Sequence, residues 1–318
     1  MMKGKKIMYV HGFCSSGQSG TVKRLRSMLP DAEVVAPDLP LHPEEAMALL
    51  REWCEKEKPD LIIGTSMGGM YTEMLRGFDR IMVNPALQMG DTMKDHGMMG
   101  KQTYFNPRQD GVMEFIVTKE LIKEYKEITQ KCFDGIDDEE KQRVWGLFGM
   151  EDPLVHTFDL FTEHYTQAAR FHGEHQLTDK ITIHSLIPVI RWIDDSQEGR
   201  EREIIYVSIE TLRDQWGEPR SSVMKALSLI SEFYNIYFVA PSHTNNADTA
   251  AQDIRWLEDR IGVLAYDHVC LTCQPQLLYG DYMIASNPAK GFMGTAIEFG
   301  SDQFKTWEEI ITFYSRLR

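Results

Sequence analysis

This chain of 318 residues has no basic excess, no membrane-length apolar run and no paired cysteine framework, and each shortage argues against a class of function. Acidic side chains outnumber basic ones 48 to 34, for a formal net charge of −14, and neither half of the chain is basic. A nucleic-acid partner needs a cationic footprint, and an acidic surface gives no steering toward anionic substrates. No apolar run approaches the ~20 residues of a spanning helix. The opening Met1-Met2-Lys3-Gly4-Lys5-Lys6 is charged like the start of a signal peptide, but Ile7-Met8-Tyr9-Val10 is too short for its hydrophobic core. The five cysteines (Cys14, Cys54, Cys132, Cys270, Cys273) are odd in number and scattered, as reduced thiols are, so a cytoplasmic location is expected. There is no internal repeat or low-complexity tract. A hydrophobic fraction of 42% is ample for packed cores, and the length suits two domains or one large one.

The most informative stretch that is present is Pro59-Asp60-Leu61-Ile62-Ile63-Gly64-Thr65-Ser66-Met67-Gly68-Gly69-Met70. It reads as a short buried strand, then Gly-x-Ser-x-Gly, then a helix, which is the setting of a nucleophile elbow. Gly64 and Gly68 would remove side chains that clash in the turn, and Ser66 would sit in strained backbone with its hydroxyl lifted clear of the sheet.

Around that stretch, residues 5–195 alternate short apolar strands (6–10, 34–36, 61–64, 80–83, 144–148) with helices (22–29, 43–56, 69–76, 157–169, 181–193). This rhythm predicts an α/β fold with a mostly parallel sheet. It breaks between residues 86 and 142 into Met-rich, polar, helix-like sequence, either a cap over a catalytic mouth or a surface excursion. The charged segment 195–202 reads as a linker between a domain of residues 1–194 and a second, smaller α/β domain of residues 203–318 with strands near 204–207, 237–240 and 282–284.

A serine nucleophile needs a base and an orienting acid, and on a strand–elbow–helix scaffold they follow in the order acid, then histidine. Asp152, just past the strand 144–148, and His175, before the last helix of the first domain, fill those places. Glu151 is the rival acid and His172 the rival base, while His184 lies within a helix. The backbone N–H groups of Phe13, after the first strand, and Met67, after the serine, are the candidate oxyanion donors. His11 reads as a residue that orients this loop, and Cys14 as a bystander. No cofactor or metal is expected there.

Together, His11-Gly12-Phe13, Gly64-Thr65-Ser66-Met67-Gly68-Gly69, Asn84-Pro85, Gly149-Met150-Glu151-Asp152 and Gly173-Glu174-His175 resemble the small YqiA/YcfP-type α/β-hydrolases over about residues 6–194. The resemblance implies an α/β-hydrolase fold without the first strands of larger members, and an esterase or thioesterase acting on acyl esters. The long 86–142 region departs from such compact enzymes.

Residues 203–318 resemble haloacid-dehalogenase-type phosphatases, most like small 5′-nucleotidase-like members, in Val207-Ser208-Ile209-Glu210-Thr211-Leu212 and Gly280-Asp281-Tyr282-Met283-Ile284-Ala285-Ser286-Asn287. Gly291-Phe292-Met293-Gly294 and 299–307 extend it. The resemblance places Ser208 where the nucleophilic aspartate stands, Glu210 at the acid, and Ala285-Ser286 at the distal acid pair. No lysine or arginine occurs from residue 261 to 289, so a Rossmann-like but inactive module is implied, serving as a binding surface, a dimerisation surface, a lid or a stabilising appendage. Cys270-Leu271-Thr272-Cys273 has a metal or redox spacing, but zinc would need two more ligands. Three readings therefore compete with the hydrolase: a non-catalytic binding or scaffold protein, a nucleotide phosphatase working through residues 203–318, and a metal-binding or redox role for the CxxC pair. A small acyl substrate, a homo-oligomer and no nucleic-acid partner complete the expectations.

Overall fold

In a computed structural model, which describes residues 1–243 and 245–317, the chain divides into two compact units. The first comprises Met1–Thr182 with Val189–Asp194, and the second comprises Ile183–Pro188 and the chain from Asp195 on. No helix among the described residues is long and apolar enough to cross a membrane.

The first unit runs β1 (Lys6–Val10), α1 (Gly20–Met28), β2 (Glu33–Val35), α2 (Pro43–Glu57), β3 (Leu61–Thr65), α3 (Met67–Glu73) and β4 (Arg80–Val83). After β4 come α4 (Met89–Asp95), the strands β5 (Gly100–Thr103) and β6 (Glu114–Val117), α5 (Lys119–Thr129) and α6 (Asp138–Gln142). The sheet resumes with β7 (Val144–Gly149), α7 (Phe158–Thr162) and β8 (Ala168–Phe171), followed by α8 (Asp179–Ile181), a π-helical turn at Thr182–Leu186 and α9 (Ile187–Glu198).

Six strands form a parallel sheet in the order β2-β1-β3-β4-β7-β8. β4 is buried along its whole length, and β1 and β3 are buried at all but one end residue, so their sequences are nearly continuous apolar runs. The chain leaves β1 in one direction to make β2, then returns past it to make β3. Ligand crevices of open parallel sheets form at such a reversal, outside the carboxyl ends of the strands. Here the loops after β1 and β3 share that position. This order of parallel strands, with a serine elbow at the end of β3, is the α/β-hydrolase fold.

Residues 86–142 hold more than helices. β5 and β6 form an antiparallel hairpin that turns Phe115 and Val117 inward and leaves Ile116 exposed. Its tip is tied to the loop after β1: Phe105 N–H donates to the Cys14 carbonyl at 2.8 Å, and Ser16 Oγ donates to the Pro107 carbonyl at 2.8 Å. Asp38 joins both sides, its two carboxylate oxygens accepting from Gly17 N–H (2.7 Å) and Gln109 N–H (2.6 Å).

Two local expectations are corrected. The helix expected over 157–169 stops at Thr162, because the chain beyond it turns Tyr165 into the core, where its hydroxyl donates to the buried Glu73 at 2.6 Å. The charged segment read as linker begins as helix, since α9 continues to Glu198 and ends on Gly199 in left-handed geometry (φ 58°). The two aspartates at its start are not solvent-facing: Asp195 pairs with Arg200 and Arg202, and the preceding Asp194 is buried against Lys5 at 2.8 Å, while Glu198 and Glu201 are exposed.

The second unit carries β9 (Ile204–Ser208), α10 (Ile209–Leu212), α11 (Val223–Ser231), β10 (Asn235–Ala240), α12 (Ala247–Arg260), β11 (Val269–Leu271), β12 (Tyr282–Ala285), β13 (Thr295–Glu298) and α13 (Trp307–Arg316). Its five strands are parallel in the order β11-β10-β9-β12-β13, around a core that includes Val207, Phe238, Ile284 and Trp307.

Candidate active site

The strand that ends at Thr65 delivers Ser66 into backbone geometry that side chains avoid, φ 56° and ψ −123°. Such a residue costs of the order of 1–3 kcal/mol and persists only where its surroundings dictate it. The surroundings here are glycine contacts. A Cβ on Gly68 would fall 2.0 Å from the Val10 carbonyl oxygen, and one on Gly64 would fall 2.4 Å from the Gly68 carbonyl oxygen. Bare backbone at both positions lets α3 start hard against the ends of β1 and β3. Ser66 N–H donates to the Val83 carbonyl at 3.0 Å, and its own carbonyl accepts from Ala86 N–H at 2.9 Å, so the elbow is held from the β4 side as well.

Gly12 lies against the serine from the other side, since a Cβ there would be 3.2 Å from Ser66 Cβ and 3.7 Å from Oγ. Among the described residues, neither Phe13 N–H nor Met67 N–H donates to another protein group. Both therefore flank the serine as free donors. His11 holds this loop in place. Its ring is buried, with Nδ1 2.9 Å from the Gly12 carbonyl and Nε2 accepting from Leu39 N–H at 3.1 Å. That network requires the neutral tautomer with its proton on Nδ1, and burial pushes the pKa of His11 down to about 4.

A pH dependence follows from His11. Its folded pKa lies below the unfolded value of about 6.5, so between pH 6.5 and 4 the unfolded chain binds a proton that the folded chain refuses. Stability then falls with falling pH across that window, by up to about 3 kcal/mol from this group. In His11→Asn the loss of stability between pH 7 and pH 4.5, measured by urea unfolding, is expected to shrink relative to wild type. An equal loss in both would contradict a buried neutral His11.

Asp152 and His175 are brought together at the carboxyl edge of β7 and in the loop after β8. His175 Nδ1 is 2.7 Å from Asp152 Oδ2, and Asp152 Oδ1 accepts from Leu154 N–H (2.8 Å) and Val155 N–H (3.2 Å). The carboxylate is buried, which would raise its pKa. The hydrogen bond and charge of His175 and the two N–H groups outweigh burial and hold it below the ordinary carboxylate range. With Nδ1–H donating to the Asp152 carboxylate, Nε2 is the His175 nitrogen not engaged by the acid. No hydrogen bond joins it to Ser66 Oγ among the described residues; contacts of this kind commonly tighten only when substrate is bound.

The rivals stand elsewhere. His172 pairs with Glu151 at 2.8 Å, both half exposed, and Glu151 also accepts from Gly173 N–H. That pair straps the loop bearing His175. His184 lies in the π-helical turn. The Cys14 thiol, pushed up to about 11 by burial, stays protonated.

Sequence reasoning gave Asn84 no role, although it closes the site. Its Oδ1 accepts from Gly149 N–H at 2.7 Å, while Nδ2 donates to the carbonyls of Glu174 (3.2 Å) and His175 (3.3 Å). One side chain thus joins the ends of β4 and β7 to the histidine loop. The available signal was an asparagine before proline at a strand end, where a positive φ (45° here) suits it.

In the second unit the loops after β9 and β12 also meet at a strand-order reversal, where Ser286 N–H donates to Glu210 Oε1 at 3.2 Å and Ser208 is buried. Among the described residues, no group of three or more His, Cys, Asp or Glu side chains is placed to hold a metal ion. Cys270 lies on β11 partly buried, and Cys273 is exposed.

Comparison with known proteins gives partial matches to solved structures. A soluble variant of monoglyceride lipase from Saccharomyces cerevisiae, in complex with a substrate analogue, is 11% identical with a TM-score of 0.41, over 60% of this chain and 86% of that one. The ferulic acid complex of Est1E from Butyrivibrio proteoclasticus is 12% identical with a TM-score of 0.40, over 63% and 90%. A protein of Vibrio phage KVP40, provisionally named a 5′(3′)-deoxyribonucleotidase, is 27% identical over 99 residues, 30% of this chain; the match spans 58% of that relative's length. One family model matches residues 6–182, which takes in the elbow, Asp152 and His175. The match covers more than half of the chain, and the protein belongs to the Uncharacterised protein family UPF0227.

Proposed function

We propose that the first unit is a serine hydrolase that cleaves acyl esters or thioesters through Ser66, His175 and Asp152. The observation that carries this reading is the strained backbone of Ser66, set between two free N–H donors, in a chain that also pairs His175 Nδ1 with the buried Asp152.

In the proposed reaction, the Ser66 Oγ–H proton passes to His175 Nε2 as Oγ bonds to the acyl carbon, and the carbonyl π electrons move to oxygen. Phe13 and Met67 N–H groups stabilise that oxyanion, and Asp152 stabilises the imidazolium. Collapse breaks the bond to the alcohol or thiol, which takes the proton from His175. Water then attacks the acyl-enzyme, giving its proton to His175, and Ser66 leaves reprotonated. The free thiol or alcohol and a carboxylic acid are the products.

Stopped-flow mixing with p-nitrophenyl acetate tests this. A burst of p-nitrophenolate equal to the enzyme concentration, with an acetyl adduct on the Ser66 peptide, is expected. Turnover without a burst or adduct, retained in Ser66→Ala, would contradict it.

For the second unit we propose a haloacid-dehalogenase-type scaffold that has lost its metal chemistry. The parallel sheet, with Ser208 at the end of its central strand and Glu210 just after it, supports that scaffold. The residues at that edge do not fit a magnesium ion, which favours several hard carboxylate oxygens in octahedral array, so no phosphoryl-transfer step is derived.

A further inference from the structure

The sheet of the second unit carries its helices on one face. α10, α11, α12 and α13 all pack with Val207, Phe238 and Ile284, which point to the same side of β9, β10 and β12. On the opposite face lie Tyr206, Val239, Met283 and Ala285, and among the described residues no helix packs there. Two largely irregular connections, 272–281 and 286–294, cover it instead, through Leu278 and Phe292. A parallel sheet is ordinarily covered by helices on both faces, so this one is left with a single thin layer on one side.

That layer is apolar on its outside as well. Leu278 and Phe292 turn inward, while Leu277, Tyr279 and Met293 beside them are 76%, 89% and 90% exposed. The two connections touch: a Cβ on Gly294 would fall 2.4 Å from the Gly280 carbonyl oxygen, and one on Gly291 would fall 4.0 Å from Gln276 Cβ. The three exposed side chains therefore share one surface. Their backbone is held, since the Tyr206 hydroxyl donates to the Tyr279 carbonyl at 2.8 Å and Thr295 N–H donates to the Asp281 carbonyl at 2.7 Å. Beneath them a row of rings crosses the sheet, Phe292 to Tyr206 at 6.4 Å, Tyr206 to Tyr237 at 6.1 Å and Tyr237 to His268 at 4.9 Å. A contiguous apolar surface on tied backbone is the pattern of an interaction site, whereas exposed apolar residues scattered singly are ordinary.

Charge says which partner fits. Residues 268–297 include one acid, Asp281, and one base, Lys290, in a chain that is 26% charged. Asp281 already accepts from Ile204 N–H at 2.8 Å. Lys290 is exposed and unpaired among the described residues, as is Glu298, which stands in register with Ala285 on the same face. Two chains of net charge −14 repel over most of their surfaces, and this near-neutral face is where they can meet. A two-fold axis through it sets each apolar patch on its equal and offers each Lys290 the other copy's Glu298. A standard interface buries ~800 Å² on each partner, and a tyrosine such as Tyr279 can bring ~150–250 Å² of it, so a patch of this size is of the right order. We propose that a second copy of this chain docks on this face, making the second unit a dimerisation module. The proposal is independent of the chemistry of the first unit.

The test is the mass of the full-length protein in solution, by size exclusion with light scattering across the micromolar range, with circular dichroism to verify folding. Wild type is expected at the mass of two chains. Tyr279→Arg and Met293→Arg should each raise the dimer dissociation constant by about tenfold or more, because each sets a cation against its own copy in the middle of an apolar contact. Trp216→Arg makes the same change of charge at a residue that is also largely exposed, on the loop that α12 holds through Trp256 Nε1–H to the Gly217 carbonyl at 2.6 Å. It should leave the dimer intact. A wild-type protein that stays monomeric throughout overturns the proposal. So does a dimer that survives both Tyr279→Arg and Met293→Arg, or one that Trp216→Arg weakens as much as they do.

Discussion

Replacing Ser66 by glycine is expected to abolish ester turnover and to make the first unit more stable. At φ 56° and ψ −123°, a Cβ-bearing residue carries strain of the order of 1–3 kcal/mol, and glycine carries almost none. Part of that gain is offset, because glycine also widens the unfolded ensemble by about 0.5–1 kcal/mol. A net gain of about 1 kcal/mol remains, read as a shift of the denaturant midpoint. Ser66→Ala separates the two effects. It removes the hydroxyl but keeps the Cβ, so activity should vanish with little change in stability. A Ser66→Gly protein less stable than Ser66→Ala would mean that the elbow stores no strain.

Asp152→Asn should lower kcat by about three to four orders of magnitude, while Glu151→Gln costs at most about tenfold. The two acids are sequence neighbours with different duties. Asp152 accepts from His175 Nδ1, and an amide in its place would offer N–H to that nitrogen and turn the imidazole to the wrong tautomer. Glu151 faces His172 and Gly173 N–H, so its loss loosens the loop bearing His175 without touching the ring. His175→Ala should be as damaging as Asp152→Asn, and His172→Ala as mild as Glu151→Gln. Steady-state kinetics on the four variants, with circular dichroism to verify folding, decides the assignment. Equal losses from the two acids would contradict it.

The elbow was legible because its requirements are local. A buried strand, two glycines and a helix in register admit few other structures, and the strained serine lies where they meet. The alternation of strand and helix likewise revealed a parallel sheet, since strands buried on both faces read as unbroken apolar runs such as Leu61-Ile62-Ile63. The β5–β6 hairpin was not legible. Its strands have only four residues each, and the inward pair Phe115 and Val117 is too short a period to separate from helix-like surroundings. α9 was cut short in the sequence reading because Asp194 and Asp195 look like a solvated break. Their ion pairs with Lys5, Arg200 and Arg202 turn those charges inward, and such pairing depends on tertiary contacts that spacing does not reveal. The tie from Asn84 to the histidine loop spans about ninety residues of sequence and is invisible for the same reason.

The central claim is that Ser66 is an activated nucleophile, and a fluorophosphonate probe reads that property directly. Full-length wild-type protein is expected to become labelled in a time-dependent way, with the adduct mapping by mass spectrometry to the Ser66 peptide. The label should be lost in Ser66→Ala and greatly slowed in His175→Ala. Folded wild-type protein that takes no label, or takes it at another residue, would contradict the account.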